Sequence, residues 1–120
     1  MNNLMLFRSI TGIPRKTLSF FLSITVHTYG YIEKGSMCLT PEIEILLARI
    51  YGIDKAQLVC PQNQITQETI ETLTALSNES PEQQIKTISI RLSQGIFETL
   101  KPHQIRKIKA NLDKRLNPQK

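Results

Sequence analysis

Prolines at the starts of amphipathic segments constrain the fold of this chain more than any other sequence feature. Five prolines divide the chain at intervals of 20 to 27 residues: Pro14, Pro41, Pro61, Pro81 and Pro102. Proline fits the first turn of a helix, where its missing N–H has no intrahelical acceptor to lose. Thr40 and Ser80, each directly before a proline, are residue types that cap helices. The pattern predicts a series of short helices.

Apolar residues between the prolines recur three and four positions apart, which is the spacing of one face of a helix. Ile43, Leu46 and Ile50 form one such row. There is no convincing strand pair, and an aromatic content of 6% without Trp argues against a β-sandwich or a propeller. We therefore expect an all-α fold with eight helices near residues 3–11, 14–22, 25–33, 40–51, 54–59, 66–77, 81–99 and 102–116.

A short polar stretch at residues 61–64 suggests a division of the chain into two units. We expect one domain over residues 1–60, a linker over 61–65 and a second helical region over 66–120. Three glycines, Gly12, Gly35 and Gly52, fall just after predicted helices, where a left-handed C-terminal cap is favoured.

The net charge of +5 is distributed unevenly along the chain. Residues 1–60 carry six basic and four acidic side chains, residues 61–100 carry two and five, and residues 101–120 carry seven and one. Basic side chains favour a polyanionic partner, because they displace condensed counterions from nucleic acid. The alternative for the basic C-terminal segment is a solvated helix face.

The residues that would support catalysis or metal binding are missing from the sequence. Cys38 and Cys60 form no CxxC motif, and His27 and His103 are far apart, so we expect no metal site and no cofactor. Paired carboxylates and a nucleophile beside a base are not apparent, so we do not expect an enzyme. The most apolar stretch, near residues 18–26, is too short to span a bilayer, and we expect a cytoplasmic protein without a membrane partner.

Two motifs in the first sixty residues have a recognisable spacing. Arg8 precedes Gly12 by four positions, and Glu33 precedes Gly35 by two. Residues 13–25 resemble the second helix and turn of the lambda-repressor-like (Cro/repressor, XRE-type) helix-turn-helix family, and residues 26–35 resemble its recognition helix. The resemblance covers residues 4–60 and implies a five-helix DNA-binding domain, followed here by about three amphipathic helices.

The resemblance also implies roles for individual residues. Arg8 and Glu33 would form an ion pair between the first and third helices. Outward residues of the third helix and one residue of the second would contact bases in the major groove: Val26, His27, Thr28, Tyr31 and Arg15. For Arg15, a phosphate contact is the alternative to a contact with guanine. Contacts to DNA phosphates would come from Lys16, Thr25 and Lys34.

Proteins of this type usually bind DNA as dimers, so we expect the C-terminal helices to form a homodimer interface. The candidate interface residues are Ile85, Ile88, Leu92, Ile96, Ile105, Ile108, Leu112 and Leu116. The alternative is that these helices fold back on the first domain of a monomer.

Two functions remain open at this point. One is a sequence-specific, repressor-like transcriptional regulator that binds double-stranded DNA as a dimer, with residues 25–33 in the major groove. The other is a protein-interaction module with the same fold, such as an antirepressor or an antitoxin-like partner. The apolar Val26, the bulky Tyr31 and the modest charge of residues 1–60 motivate the second.

Overall fold

A computed structural model describes residues 2–94, and its regular elements within that range are all helical. The α-helices are α1 (Leu4–Thr11), α2 (Arg15–Leu22), α3 (Val26–Lys34), α4 (Pro41–Tyr51), α5 (Gln67–Ser77) and α6 (Pro81–Ser93). The predicted all-α class is therefore confirmed for these residues. The helix expected at 54–59 is a short 3-10 helix over Lys55–Leu58, and a second one occupies Gln62–Gln64. The expected helix at 102–116 lies outside the described residues.

Side-chain caps determine where several helices begin. The hydroxyls of Thr25, Thr40 and Ser80 each accept a hydrogen bond from the backbone N–H three residues further on, at 3.0, 3.3 and 3.1 Å. Thr66 caps α5 in the same way, at 3.1 Å, although the sequence analysis did not single it out. These bonds satisfy N–H groups that have no acceptor within the helix, so they define the helix starts.

Left-handed residues end α1, α3 and α4. Their C-caps are the glycines at 12, 35 and 52, with φ angles of 75°, 84° and 71°. Helix α2 also ends at a left-handed residue, but this C-cap is a serine, Ser23, with φ of 60°. The chain turns within three residues there and enters α3 at Val26. The two helices pack directly against each other.

A single apolar core joins all six α-helices. Helix α1 contributes Leu4 and Phe7, and the Phe7 ring packs edge-on against Tyr51 of α4 with 5.7 Å between the ring centroids. The same cluster continues into α5 through Leu73. Helix α5 packs on α1, and α6 packs on α4.

Hydrogen bonds reinforce the attachment of α6. The side-chain amide of buried Gln84 donates to the carbonyls of Thr11, at 3.0 Å, and Leu76, at 2.9 Å. Arg91 donates to the carbonyl of Ile50 at 2.9 Å. These contacts tie α6 to the ends of three other helices. Residues 61–65 are therefore a connection between segments that share one core, and not a gap between two separate cores.

The packing of α6 buries two of the residues that were predicted to form the dimer interface. Ile88 and Leu92 are completely buried among residues of their own chain, so they are core residues and offer no surface to a second copy. Ile85 is partly buried against the same core. The apolar side chain that α6 does expose is Ile90. The remaining candidates, Ile96, Ile105, Ile108, Leu112 and Leu116, lie outside the described residues.

Truncation of Leu73 tests the docking of α5 on α1. Because this side chain is fully buried, Leu73→Ala should lower the free energy of unfolding by about 2–5 kcal/mol. The neighbouring Thr74 is exposed on the same helix, so Thr74→Ala serves as the control and should not lower stability, because alanine is the better helix former. Denaturant unfolding measures both. Equally small effects of the two changes would contradict the shared core.

Candidate functional site

Helix α3 has one face in the core and one face in solvent. Tyr29, Ile32 and Glu33 are buried. On the opposite side, Val26 is 43% and Tyr31 49% exposed. His27 and Lys34 are exposed as well, so the structure brings most of the candidate DNA-contacting residues of α3 onto one surface. Lys16 is exposed near the start of the adjoining α2.

Thr25 and Thr28 belong to the cap of α3. The Thr25 hydroxyl accepts from the Thr28 backbone N–H at 3.0 Å and donates to the Thr28 hydroxyl at 2.9 Å. Thr28 is only partly exposed, whereas Thr25 is exposed. Their hydroxyls are thus oriented by each other, and both stand at the end of α3 that is nearest to α2 in the chain.

A buried carboxylate lies at the junction of the first three helices. The Glu33 side chain has no exposed surface, and it accepts hydrogen bonds from two arginines. Arg8 donates through Nε to Oε2 at 2.8 Å and through Nη2 to Oε1 at 3.1 Å. Arg15 donates to Oε1 through Nη2 at 2.9 Å and through Nε at 3.2 Å. We call these three residues the Glu33 cluster.

The pair of Arg8 and Glu33 has the arrangement that the sequence analysis expected. The contact of Arg15 with Glu33 was not predicted, because the sequence indicated only a contact between Arg15 and DNA. Arg15 and Glu33 lie on different helices, 18 positions apart. Their contact cannot be predicted from residue spacing within one helix. The Arg15 side chain remains 40% exposed, so it reaches the surface while it is bound to Glu33.

Burial alone would raise the pKa of Glu33, but the hydrogen bonds from Arg8 and Arg15 outweigh it and hold the pKa of Glu33 below its usual range. The hydrogen bond to Glu33 in turn raises the pKa of Arg8. Glu33 and Arg8 are therefore charged near neutral pH. The Glu33 cluster carries one net positive charge.

Two tyrosine hydroxyls are buried near this cluster. The hydroxyls of Tyr29 and Tyr51 have no hydrogen-bond partner among the described residues. Burial raises the pKa of both phenols, and the nearby charge of Glu33 raises them further. Both tyrosine hydroxyls therefore stay protonated, and neutral, at neutral and acid pH. Glu33 is therefore the group in this region that titrates in acid.

Charge is divided between the two ends of the described chain. Residues 2–36 carry four basic side chains and one acidic side chain, so their net charge is +3. Residues 37–94 carry four basic and seven acidic side chains, so theirs is −3. The one carboxylate in the first group is Glu33, which is buried. The surface that α1, α2 and α3 present therefore has basic side chains and no exposed carboxylate of its own.

Other kinds of site have little support in the part of the chain that the structure describes. No group of three His, Cys, Asp or Glu side chains there is arranged to hold a metal ion. Cys38 and Cys60 are free thiols. No helix in that part is both long enough and apolar enough to cross a membrane. An open cavity of about 320 Å³ beside Gly52 is lined by Arg49, Arg91 and Gln94, among others, and contains no catalytic grouping.

The chain matches no protein-family model, no curated protein and no solved structure. An inference about function therefore depends on the geometry and charge of the α2–α3 surface.

The Glu33 cluster predicts an acid-sensitive contribution to stability. The pKa of Glu33 is lower in the folded chain than its usual value of 4.5, so its ionised form stabilises the fold above that value. The stabilisation is lost as the pH falls through the folded-state pKa. Glu33→Gln should cost about 3 kcal/mol at neutral pH, because two guanidinium groups lose their carboxylate. The difference from wild type should shrink as the pH falls below 4.5 and through the lower pKa of the folded state.

Denaturant unfolding at several pH values measures this difference. The matched control is Glu71→Gln, which removes an exposed carboxylate from α5 and should leave the pH dependence of unfolding close to that of the wild type. A gap between wild type and Glu33→Gln that stays constant down to acid pH would contradict the role assigned to the ionised carboxylate.

Proposed function

We propose that this protein is a sequence-specific DNA-binding regulator of the helix-turn-helix type, acting as a repressor-like homodimer on double-stranded DNA. In this proposal α1 to α4 and the 3-10 helix at Lys55–Leu58 form the five-helix unit, and α3 enters the major groove. The observation that carries the proposal is the exposed face of α3. This face is flanked by Lys16 and Lys34, and the one acidic residue of the helix is buried and neutralised.

The exposed side chains divide by the kind of DNA contact that their chemistry allows. Lys16 of α2 and Lys34 of α3 are exposed, flexible cations and suit phosphate contacts, which position a protein without reading sequence. Val26, His27 and Tyr31 are exposed on α3 and suit base edges. Thr25 and Thr28 stand at the start of α3, where Thr25 would contact a phosphate and Thr28 a base.

The hydrogen bonds of Arg15 to Glu33 bear on which of the two DNA contacts this residue can make. Two of its nitrogens bind Glu33, and Nη1 makes no hydrogen bond to the described residues. A guanidinium held by a carboxylate on one edge can still donate from the other edge to a phosphate oxygen. We therefore propose that Arg15 contacts the DNA backbone and not a base.

A dimer belongs to the proposal because one small domain makes few base contacts, and two half-sites restore the affinity. With Ile88 and Leu92 in the core, the proposed interface rests on Ile96, Ile105, Ile108, Leu112 and Leu116.

The protein-interaction alternative has one specific observation in its favour. Val26, Tyr31 and Met37 are all more than 40% exposed, and the Met37 N–H donates to the Tyr31 carbonyl at 3.2 Å, which keeps these two residues together. Exposed tyrosine and methionine side chains are common in protein interfaces. In that case the same surface would bind a protein, and duplex DNA would bind weakly or not at all.

Substitutions on the α2–α3 surface should separate the two kinds of DNA contact. Lys16→Ala or Lys34→Ala should weaken binding to all duplexes alike and reduce the salt slope by about one unit per lost phosphate contact. His27→Ala or Tyr31→Ala should instead reduce the free-energy preference for the correct base by about 1–3 kcal/mol per lost contact. Titration against a library of duplexes at several salt concentrations measures both effects.

The control for these titrations is Lys86→Ala, which removes an exposed lysine of α6 and should leave the salt slope close to its wild-type value. A wild-type protein that prefers no duplex over another, together with unchanged DNA binding in the α3 variants, would rule out the DNA-reading role. The protein-interaction alternative would then stand. In that case Tyr31→Ala should weaken partner binding most, because buried tyrosines dominate such interfaces.

The proposed dimer has its own test. The full-length chain should sediment as a dimer at micromolar concentration, and Ile108→Glu should shift it to a monomer, because a charge in an apolar interface is costly to bury. Thr74→Glu, on the exposed side of α5, is the control and should remain dimeric. A wild-type monomer at these concentrations would contradict the homodimer.

A further inference from the structure

Gly30 lies in the middle of α3, where the chain itself has no need of a glycine. Its φ angle is not positive, unlike those of Gly12, Gly35 and Gly52. A Cβ atom added at Gly30 would meet no atom of residues 2–94 within 4 Å. Glycine inside a helix lowers the folding equilibrium constant about fivefold relative to alanine. The residue is thus destabilising and has no packing role among the described residues, so its use is sought in a contact from outside.

Gly30 lies between two exposed residues in a row along α3. Residues four apart lie one above the other on a helix, so Val26, Gly30 and Lys34 form one row along α3. Val26 and Lys34 are exposed, and Tyr31 is exposed next to Gly30. The missing side chain leaves open space above the helix backbone in this row, with the exposed Val26 side chain one turn away, and we call this space the notch.

The surroundings of the notch favour DNA as the occupant. The surface of α1, α2 and α3 has basic side chains and no exposed carboxylate, while residues 37–94 carry a net charge of −3. The basic excess of residues 2–36, which include Gly30, therefore favours a polyanion as the partner of this part of the molecule. Among the base-pair edges of the major groove, only thymine presents an apolar group, its 5-methyl. A small apolar notch matches that group and no polar base edge.

We propose that Gly30 and Val26 form a recognition notch for the 5-methyl group of a thymine in the major groove. This inference rests on the proposed DNA-binding function, and it makes Gly30 a specificity-determining residue. The absent Cβ lets the base edge approach the helix backbone, and Val26 covers the methyl group from one side.

The decisive variants fill the notch. Gly30→Ala and Gly30→Leu both place a better helix former in α3, so both should raise the unfolding midpoint. Both should also weaken binding to the preferred duplex, at least about tenfold for alanine and more for leucine, since the larger side chain displaces the base further. Stability and affinity should therefore change in opposite directions, which general damage to the fold would not produce.

Thr74→Ala is the matched control for stability. It also replaces a weaker helix former by alanine, on the exposed side of α5, and should leave DNA affinity unchanged. This control separates the effect of a more stable helix from the effect of a filled notch.

The methyl group itself can be tested on the DNA. Each thymine of the preferred duplex is replaced in turn by uracil, which lacks only the 5-methyl group. Wild-type protein should lose about fivefold in affinity at one position in each half-site, the size expected for one buried methyl. Gly30→Ala should show no further loss at that position, because its notch is already filled.

Two results would contradict the notch proposal and leave the DNA-binding proposal intact. One is that Gly30→Ala binds the preferred duplex as tightly as the wild type does. The other is that no uracil substitution changes the affinity of the wild type. A lower unfolding midpoint for Gly30→Ala would make the glycine structural and would also overturn the notch. A wild type without preference for any duplex would overturn both the notch and the proposed function.

Discussion

The buried carboxylate of Glu33 is the contact on which the arrangement of the first three helices depends. It lies on α3 and binds Arg8 of α1 and Arg15 of α2, so one side chain joins three helices. A buried charge is tolerated only when it is paired and its hydrogen bonds are made, and here two guanidinium groups provide both. The same contact removes the one negative charge of α3 from its surface.

The exposed face of α3 is a consequence of that arrangement. With Glu33, Tyr29 and Ile32 turned inward, the opposite side of the helix presents Val26 and Tyr31 to solvent. Helices α5 and α6 pack on α1 and α4 and extend the same core. The described residues thus hold α3 with one face in this core and one face in solvent.

Local sequence was sufficient to predict most of the fold. Helix starts at Thr25, Thr40 and Ser80 and helix ends at Gly12, Gly35 and Gly52 are determined by hydrogen bonds and backbone angles within a few residues. Such interactions are visible in sequence because the participants are neighbours in the chain. The start of α5 was predicted near residue 66 from the apolar spacing, although its cap, Thr66, is followed by no proline and was not named as a cap. The all-α class follows from the same local signals and the three-and-four spacing of apolar residues.

The tertiary structure decided the questions that depend on which helices meet. The periodicity of α6 showed that Ile88 and Leu92 share an apolar face, but only packing on α4 shows that this face is buried within the chain and is not available to a second copy. The sequence likewise marked Arg15 as a cation near the candidate site, whereas its bond to Glu33 exists because α2 and α3 pack together. The sequence therefore determined the helices and their apolar faces, because those depend on neighbours in the chain. The partner of each face and of each charge depended on distant segments meeting in space.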